Sequence, residues 1–217
     1  YHGIDLAQFD FQPDPDDYLL FFGRMHPDKG AREAVEIARA GGKKLILAGI
    51  VQDQDYFDHH VAPHLNKDRI TYIGSVGPVE RNRLLGRARA LLHPIAFDEP
   101  FGLSVVESMA CGTPVIAFDR GSMPELIDDG KNGFRVDTVH AAIDAVAQIE
   151  SIDRAACRRH VERHFTVQRM VDDYLNVYET IAGLHQAGFQ NRPRGKKHDS
   201  SRSNRSALSK QPGADAP

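Results

Sequence analysis

Short apolar runs alternate with amphipathic stretches along the first two thirds of the chain. Residues 18–22 are uniformly apolar and stop at Gly23, and 45–48, 70–73 (with Thr71), 90–93 (ending at His93) and 114–118 are further short, mainly apolar runs. Between them, 31–40 is Ala-rich with Glu33 and Glu36 and is closed by Gly41 and Gly42, which predicts a helix. Further helices are predicted over 53–60 (with Pro63 near its end), 79–88 and 102–111, and a loop over 74–78. Continuous apolar strands separated by helices predict a doubly wound, Rossmann-like α/β fold, a parallel sheet covered on both faces. In such sheets ligands sit beyond the carboxyl ends of the strands. The loops after Phe22, Ile73 and His93 therefore share one edge, and one site is expected there.

Past Asp137 the pattern turns helical, over 139–149, 154–164 and 167–181. In the last of these Val167, Met170, Val171, Tyr174, Tyr178 and Ile181 recur at helical spacing, and the stripe is expected to pack on the core. From Gly188 onward the chain is rich in Ser, Arg, Lys and Pro, so the expected organisation is a domain over 1–187 and a disordered basic tail over 188–217.

Charge and cysteine content narrow the function. The net charge is −3, but the tail carries seven Lys and Arg against Asp199 and Asp215, so residues 1–187 stand at −8. An acidic body excludes general nucleic-acid binding. Cys111 and Cys157 are the only cysteines and have no metal-ligand spacing, which points to a reducing compartment. With no export signal and no run of some 18 apolar residues, a cytoplasmic location is expected, with membrane contact left open.

Two segments carry chemistry. In the first, Asp98-Glu99-Pro100 precedes Gly102, where a helix begins. Free N–H groups at Gly102, Leu103 and Ser104 are suited to a phosphate oxygen, and the helix dipole favours negative charge there. Ser104 and Glu107 share one helix face, while Leu103, Val106 and Ala110 are expected to face the core. Glu99 and Glu107 flank that helix start, a placement suited to hydroxyls of two sugars, a ribose and a hexose. Singly, each would be an ordinary solvated glutamate. The second segment runs from Gly23 to Gly30, where Arg24 offers a planar fork to phosphate oxygens and Lys29 a mobile charge. Two cations at a strand end in an acidic domain suit a departing diphosphate held without a metal. His26 lies in this loop, with donor contact and loop packing equally open. His59, His60 and His64 read as solvated rather than metal-binding, and no metal or other cofactor is expected.

The sequence resembles the C-terminal domain of retaining glycosyltransferases of family 4, the glycosyl transferases group 1 domain of the GT-B fold. The resemblance is carried by Gly23-Arg24 and Lys29-Gly30, by Glu99-Pro-Phe-Gly-Leu-Ser-Val-Val-Glu107 (the family's E-x7-E motif) and by Met109-Ala-Cys-Gly-Thr-Pro-Val-Ile-Ala117. Gly121-Ser-Met-Pro-Glu-Leu-Ile127, Gly130-Lys-Asn-Gly-Phe134 and Tyr1-His-Gly-Ile-Asp5 complete it. Ser122 stands where the family commonly has a second glycine.

The resemblance implies a nucleotide-diphosphate sugar as donor, transferred with retained configuration and without a metal. The implied catalytic set is Arg24, Lys29 and Glu99. The implied donor-binding set is Gly23, Ser75, Val76, Gly77, Phe101, Gly102, Leu103, Ser104 and Glu107, with the 75–77 loop along the base and Glu107 on the ribose. It also implies an N-terminal acceptor domain or partner chain, so the chain alone is expected to bind donor with little or no turnover. A stand-alone nucleotide-sugar-binding module remains the alternative. A dinucleotide-dependent enzyme is disfavoured, since no G-x-G-x-x-G follows the first strand. Base, sugar and acceptor are not specified by these motifs.

Overall fold

Six parallel strands form one sheet in the order β3-β2-β1-β4-β5-β6 in a computed structural model that describes residues 1–190. The strands are β1 (Leu19–Phe22), β2 (Leu45–Ala48), β3 (Ile70–Tyr72), β4 (Ala90–His93), β5 (Val115–Phe118) and β6 (Gly133–Val136). The order reverses between β1 and β4, whose register pairs Leu19 with Ala90 and Phe21 with Leu92. Leu19, Leu20, Leu91 and Leu92 are almost wholly buried, because helices cover both faces of the central strands.

Helix α1 (Ala31–Ala40) packs beside α6 (Val139–Gln148), while α4 (Leu103–Ala110) packs beside α3 (Pro78–Arg87) and α7 (Arg154–His164). Local chemistry fixes several starts. Asp53 accepts the Tyr56 N–H at 2.9 Å to open α2 (Gln54–His60), and Thr138 and Asp153 cap α6 and α7 in the same way.

The predicted strands and helices up to 118 form within a residue or two of their expected bounds. Besides short single turns such as Pro27–Lys29, one α-helix and one strand are additional among the described residues: the short α5 (Met123–Leu126) and the edge strand β6 (Gly133–Val136). Strand β6 has a half-buried pattern with Arg135 between Phe134 and Val136, so it lacks the continuous apolar run that marks the inner strands.

The chain divides into two units, 1–176 and 177–217. The first is the α/β domain. Of the second, the described residues are the end of α8 (Val167–Gln190), which runs nine residues past its expected end. The remainder of the expected tail, 191–217, lies outside the described residues.

The α8 stripe corrects an expectation in part: Met170 is half-buried and its sulfur accepts the Gly3 N–H at 3.2 Å, but Val167, Val171 and Tyr174 are exposed rather than packed on the core, and in the second unit Tyr178 and Ile181 are exposed as well. Helical periodicity reports an apolar face, not what covers it. Phe165, just before this helix, and Val161 of α7 are buried, 2% and 0% exposed.

Candidate functional site

At the carboxyl edge, β1 and β4 release the two loops that carry the expected charged groups. A cavity of about 430 Å³ opens between them. It is lined by His2, Phe22, Gly23, Arg24, Lys29, His93, Glu99, Pro100, Phe101, Gly102, Leu103, Ser104 and Glu107. All three expected catalytic residues meet here, as do six of the donor-binding residues. Ser75, Val76 and Gly77 are not among the lining residues. They form the loop between β3 and α3, with Gly77 as the residue before the helix. A larger cleft, about 560 Å³, lies near Phe11, Arg89, Pro114 and Arg154 at the amino ends of β4 and β5. Its Arg154 is occupied by Gln12, Gly86, Ala88 and Thr113 at 2.5–3.0 Å, a structural role.

Each charged group is held. Lys29 is the last residue of a short helical turn, Pro27–Lys29, which His26 opens by accepting the Asp28 N–H at 3.2 Å. His26 thus shapes the loop and is not among the cavity-lining residues. The Lys29 ammonium pairs with Glu99 and sits 4.7 Å from the Phe97 ring centre. Lys29 and Glu99 are only 17% and 16% exposed, so this pair is far less screened than a surface salt bridge. An ammonium has three protons and a carboxylate about four acceptor positions, so both keep capacity for a ligand. Arg24 is more exposed and donates to the Gln52 side-chain oxygen.

The Glu99 loop is built from behind. Ser122 donates its backbone N–H to the Glu99 carbonyl at 2.9 Å and its hydroxyl to the Phe101 carbonyl at 2.5 Å. The serine found where the family often has glycine is therefore a tie that holds the 99–101 backbone. Phe101 is buried between His2 and Phe165, with ring centres 5.1 and 5.9 Å away. Gly102 adopts φ +93°, in the left-handed region that glycine tolerates, and opens α4 with no side-chain cap. Gly102, Leu103 and Ser104 line the cavity at this helix start, where the first N–H groups have no intrahelical partner. Leu103 corrects a second expectation: it is half exposed at the cavity, and Val105 is buried in the core with Val106 and Ala110. Leu103 shares a helix face with Val106 and Ala110, but as the first residue of α4 it lies a turn beyond them, at the cavity.

Glu107 is 12% exposed and accepts from the Arg81 guanidinium at 3.2 Å. Burial raises its pKa above the ordinary value and Arg81 opposes that rise. Arg81 also lies 5.2 Å from the Phe9 ring centre. It sits one turn into α3, its N–H bonding the Gly77 carbonyl at 2.9 Å. The 75–77 loop is therefore tied to Glu107 through one helical turn. Sequence reasoning missed Arg81, because nothing in a linear pattern links position 81 to position 107. It also gave no site role to His2 or His93. Among the described residues no group of three or more His, Cys, Asp or Glu side chains is placed to hold a metal ion. Burial pushes both cysteine thiols up to about 12, so neither is a nucleophile at neutral pH.

Paired cations and carboxylates thus surround a helix start with no side-chain cap at the carboxyl edge of a doubly wound sheet, the edge where such sheets place their ligands. The family described as "Glycosyl transferases group 1" matches residues 6–163, and the chain belongs to it. A glycogen synthase of Mycobacterium tuberculosis is 28% identical over 193 residues, 83% of this chain and 45% of that protein. The crystal structure of AviGT4, a glycosyltransferase involved in avilamycin A biosynthesis, superposes with a TM-score of 0.71 at 28% identity, covering 82% of this chain and 56% of AviGT4. The Anabaena HepE structure in complex with UDP and glucose shares the fold, with a TM-score of 0.68 at 21% identity over 84% of this chain and 56% of HepE. The chain spans about half or less of the length of the curated relatives it matches. Among the described residues no helix is long and apolar enough to cross a membrane.

Proposed function

We propose that this chain is the donor-binding half of a retaining glycosyltransferase that takes a nucleotide-diphosphate sugar. The observation that carries this reading is the convergence of Arg24, Lys29, Glu99, the uncapped start of α4 and Glu107 on one cavity at the sheet's carboxyl edge. Arg24 and Lys29 would hold the diphosphate and offset its charge as it leaves, the part a metal ion plays elsewhere. The N–H groups at Gly102, Leu103 and Ser104 would add dipoles aimed at the same oxygens. Glu99 would accept hydroxyls of the transferred sugar and Glu107 those of the ribose, with the 75–77 loop along the base. Membership in a glycosyltransferase family supports the reading, as does a fold that in HepE accommodates UDP and glucose.

Transfer needs an acceptor held in line with the donor, and closure of two domains around the reacting atoms is a general way to achieve it. We therefore place the acceptor on a second, N-terminal domain or partner chain. The test is calorimetric titration of the 217-residue chain with UDP-glucose, GDP-mannose and ADP-glucose, with and without EDTA. Saturable binding of at least one, unchanged by EDTA and accompanied by little sugar transfer, is expected. Absence of binding to all three would remove the donor reading. Robust transfer by this chain alone would remove the second domain.

A further inference from the structure

His93 lines the donor cavity, yet the reading above gives it no work. It is the last residue of β4, paired in register with Ala117 of β5, and its carbonyl accepts the Ile95 N–H at 3.0 Å. The side chain is therefore carried by the sheet itself rather than by a loop. It is 7% exposed, and its Nε2 is buried with no hydrogen-bond partner. Native interiors leave few polar atoms in that condition, and such an atom calls for an explanation. Nε2 lies 4.0 Å from Glu99 Oε2, beyond a hydrogen bond. On the same carboxylate oxygen sits the Lys29 ammonium.

Charge decides what this ring suits. Burial, and then the neighbouring Lys29 charge, pull its pKa down to about 3, so the imidazole is neutral at physiological pH. A neutral imidazole carries one donor and one acceptor and no net charge. It adds little for a diphosphate, which Arg24 and Lys29 already address. It matches a hydroxyl, which both donates and accepts. Glu99, the carboxylate beside it, is the group placed on sugar hydroxyls in the reading above.

We propose that His93 Nε2 hydrogen-bonds a hydroxyl of the transferred sugar, beside the hydroxyl contact of Glu99, and so takes part in selecting the sugar. The inference rests on the donor reading and deepens it. A site built to pair with a particular hydroxyl rejects a sugar that lacks it, because the buried partner is then left unpaired. On a rigid strand end, such a contact discriminates more sharply than one on a mobile loop.

The experiment compares nucleotide sugar with nucleoside diphosphate. The 217-residue wild type and His93→Phe are titrated with UDP-glucose and UDP, GDP-mannose and GDP, and ADP-glucose and ADP. For the pair that the wild type binds, His93→Phe is expected to weaken the nucleotide sugar about 10-fold and the nucleoside diphosphate less than about 2-fold, the size of one neutral hydrogen bond. Unchanged binding of both, or equal loss of both, overturns the inference while leaving the donor reading intact. Absence of wild-type binding to every probe overturns both. Where His93→Phe does not fold, His93→Gln, which displaces the polar atoms, is expected to shift the ratio of the two affinities by at least about 3-fold, and an unchanged ratio overturns the inference.

Discussion

Lys29→Ala is expected to weaken nucleotide-sugar binding on the order of 100-fold, more than any other single truncation in the cavity. Two losses combine. The cation proposed to meet the diphosphate disappears, and Glu99 is left without its ion-pair partner at 16% exposure. Truncating one member of a buried, hydrogen-bonded charge pair costs about 2–5 kcal/mol, much of it from the stranded partner. Arg24→Ala removes a cation that is more exposed and pairs with Gln52 rather than with a carboxylate, so its effect is expected to be smaller, about 10-fold. The check is the same calorimetric titration run on both variants. Equal small losses would mean that the Lys29–Glu99 pair is merely structural. Lys29→Arg is expected to recover only part of the affinity, since a planar fork does not reproduce a point charge between Glu99 and Phe97.

The second large effect falls on the support of the site. Gly121 has φ +56°, and a methyl group there would lie 2.4 Å from both the Glu99 nitrogen and its carbonyl oxygen. Gly121→Ala must therefore displace the Glu99 backbone, along with the Ser122 ties to Glu99 and Phe101. Left-handed strain plus the overlap is expected to cost about 2–4 kcal/mol and to lower Tm by about 5–15 °C. Gly130→Ala is the matched control: φ is +74° there but nothing lies within 4 Å of the added carbon. It should show only the backbone penalty, about 1–2 kcal/mol. Melting curves followed by circular dichroism read both. Equal Tm values for the two variants would show that Glu99 is not braced through Gly121.

These expectations rest on features of unequal legibility. Inner strands announce themselves, because burial on both faces requires runs such as Leu19 to Phe22 and Ala90 to His93. The edge strand β6 is covered differently and shows only Phe134 and Val136 around Arg135. Arg24, Lys29, Glu99 and Glu107 were readable as a set because each belongs to a local motif at the carboxyl edge of the sheet. Arg81 and His93 belong to no motif. Their placement depends on which helix and which strand end come to lie beside Glu107 and Glu99, information held in the packing of α3 on α4 and in the β1–β4 register. Leu103 and the α8 stripe show the converse. Their spacing reads as core, yet Leu103 is the first residue of α4 and lies at the cavity, and the apolar face of α8 leaves Val167, Val171 and Tyr174 exposed.

One cavity is proposed to hold a nucleotide sugar with its charge between the loops that follow β1 and β4 and its two sugars on two carboxylates. A crystal structure of the 217-residue chain with the nucleotide sugar it binds most tightly tests this directly. The diphosphate is expected between Arg24, Lys29 and the start of α4, the ribose on Glu107 and the transferred sugar on Glu99. A nucleotide seated at the opposite edge of the sheet, in the cleft beside Arg89 and Arg154, or one in the cavity with its ribose away from Glu107, would contradict it.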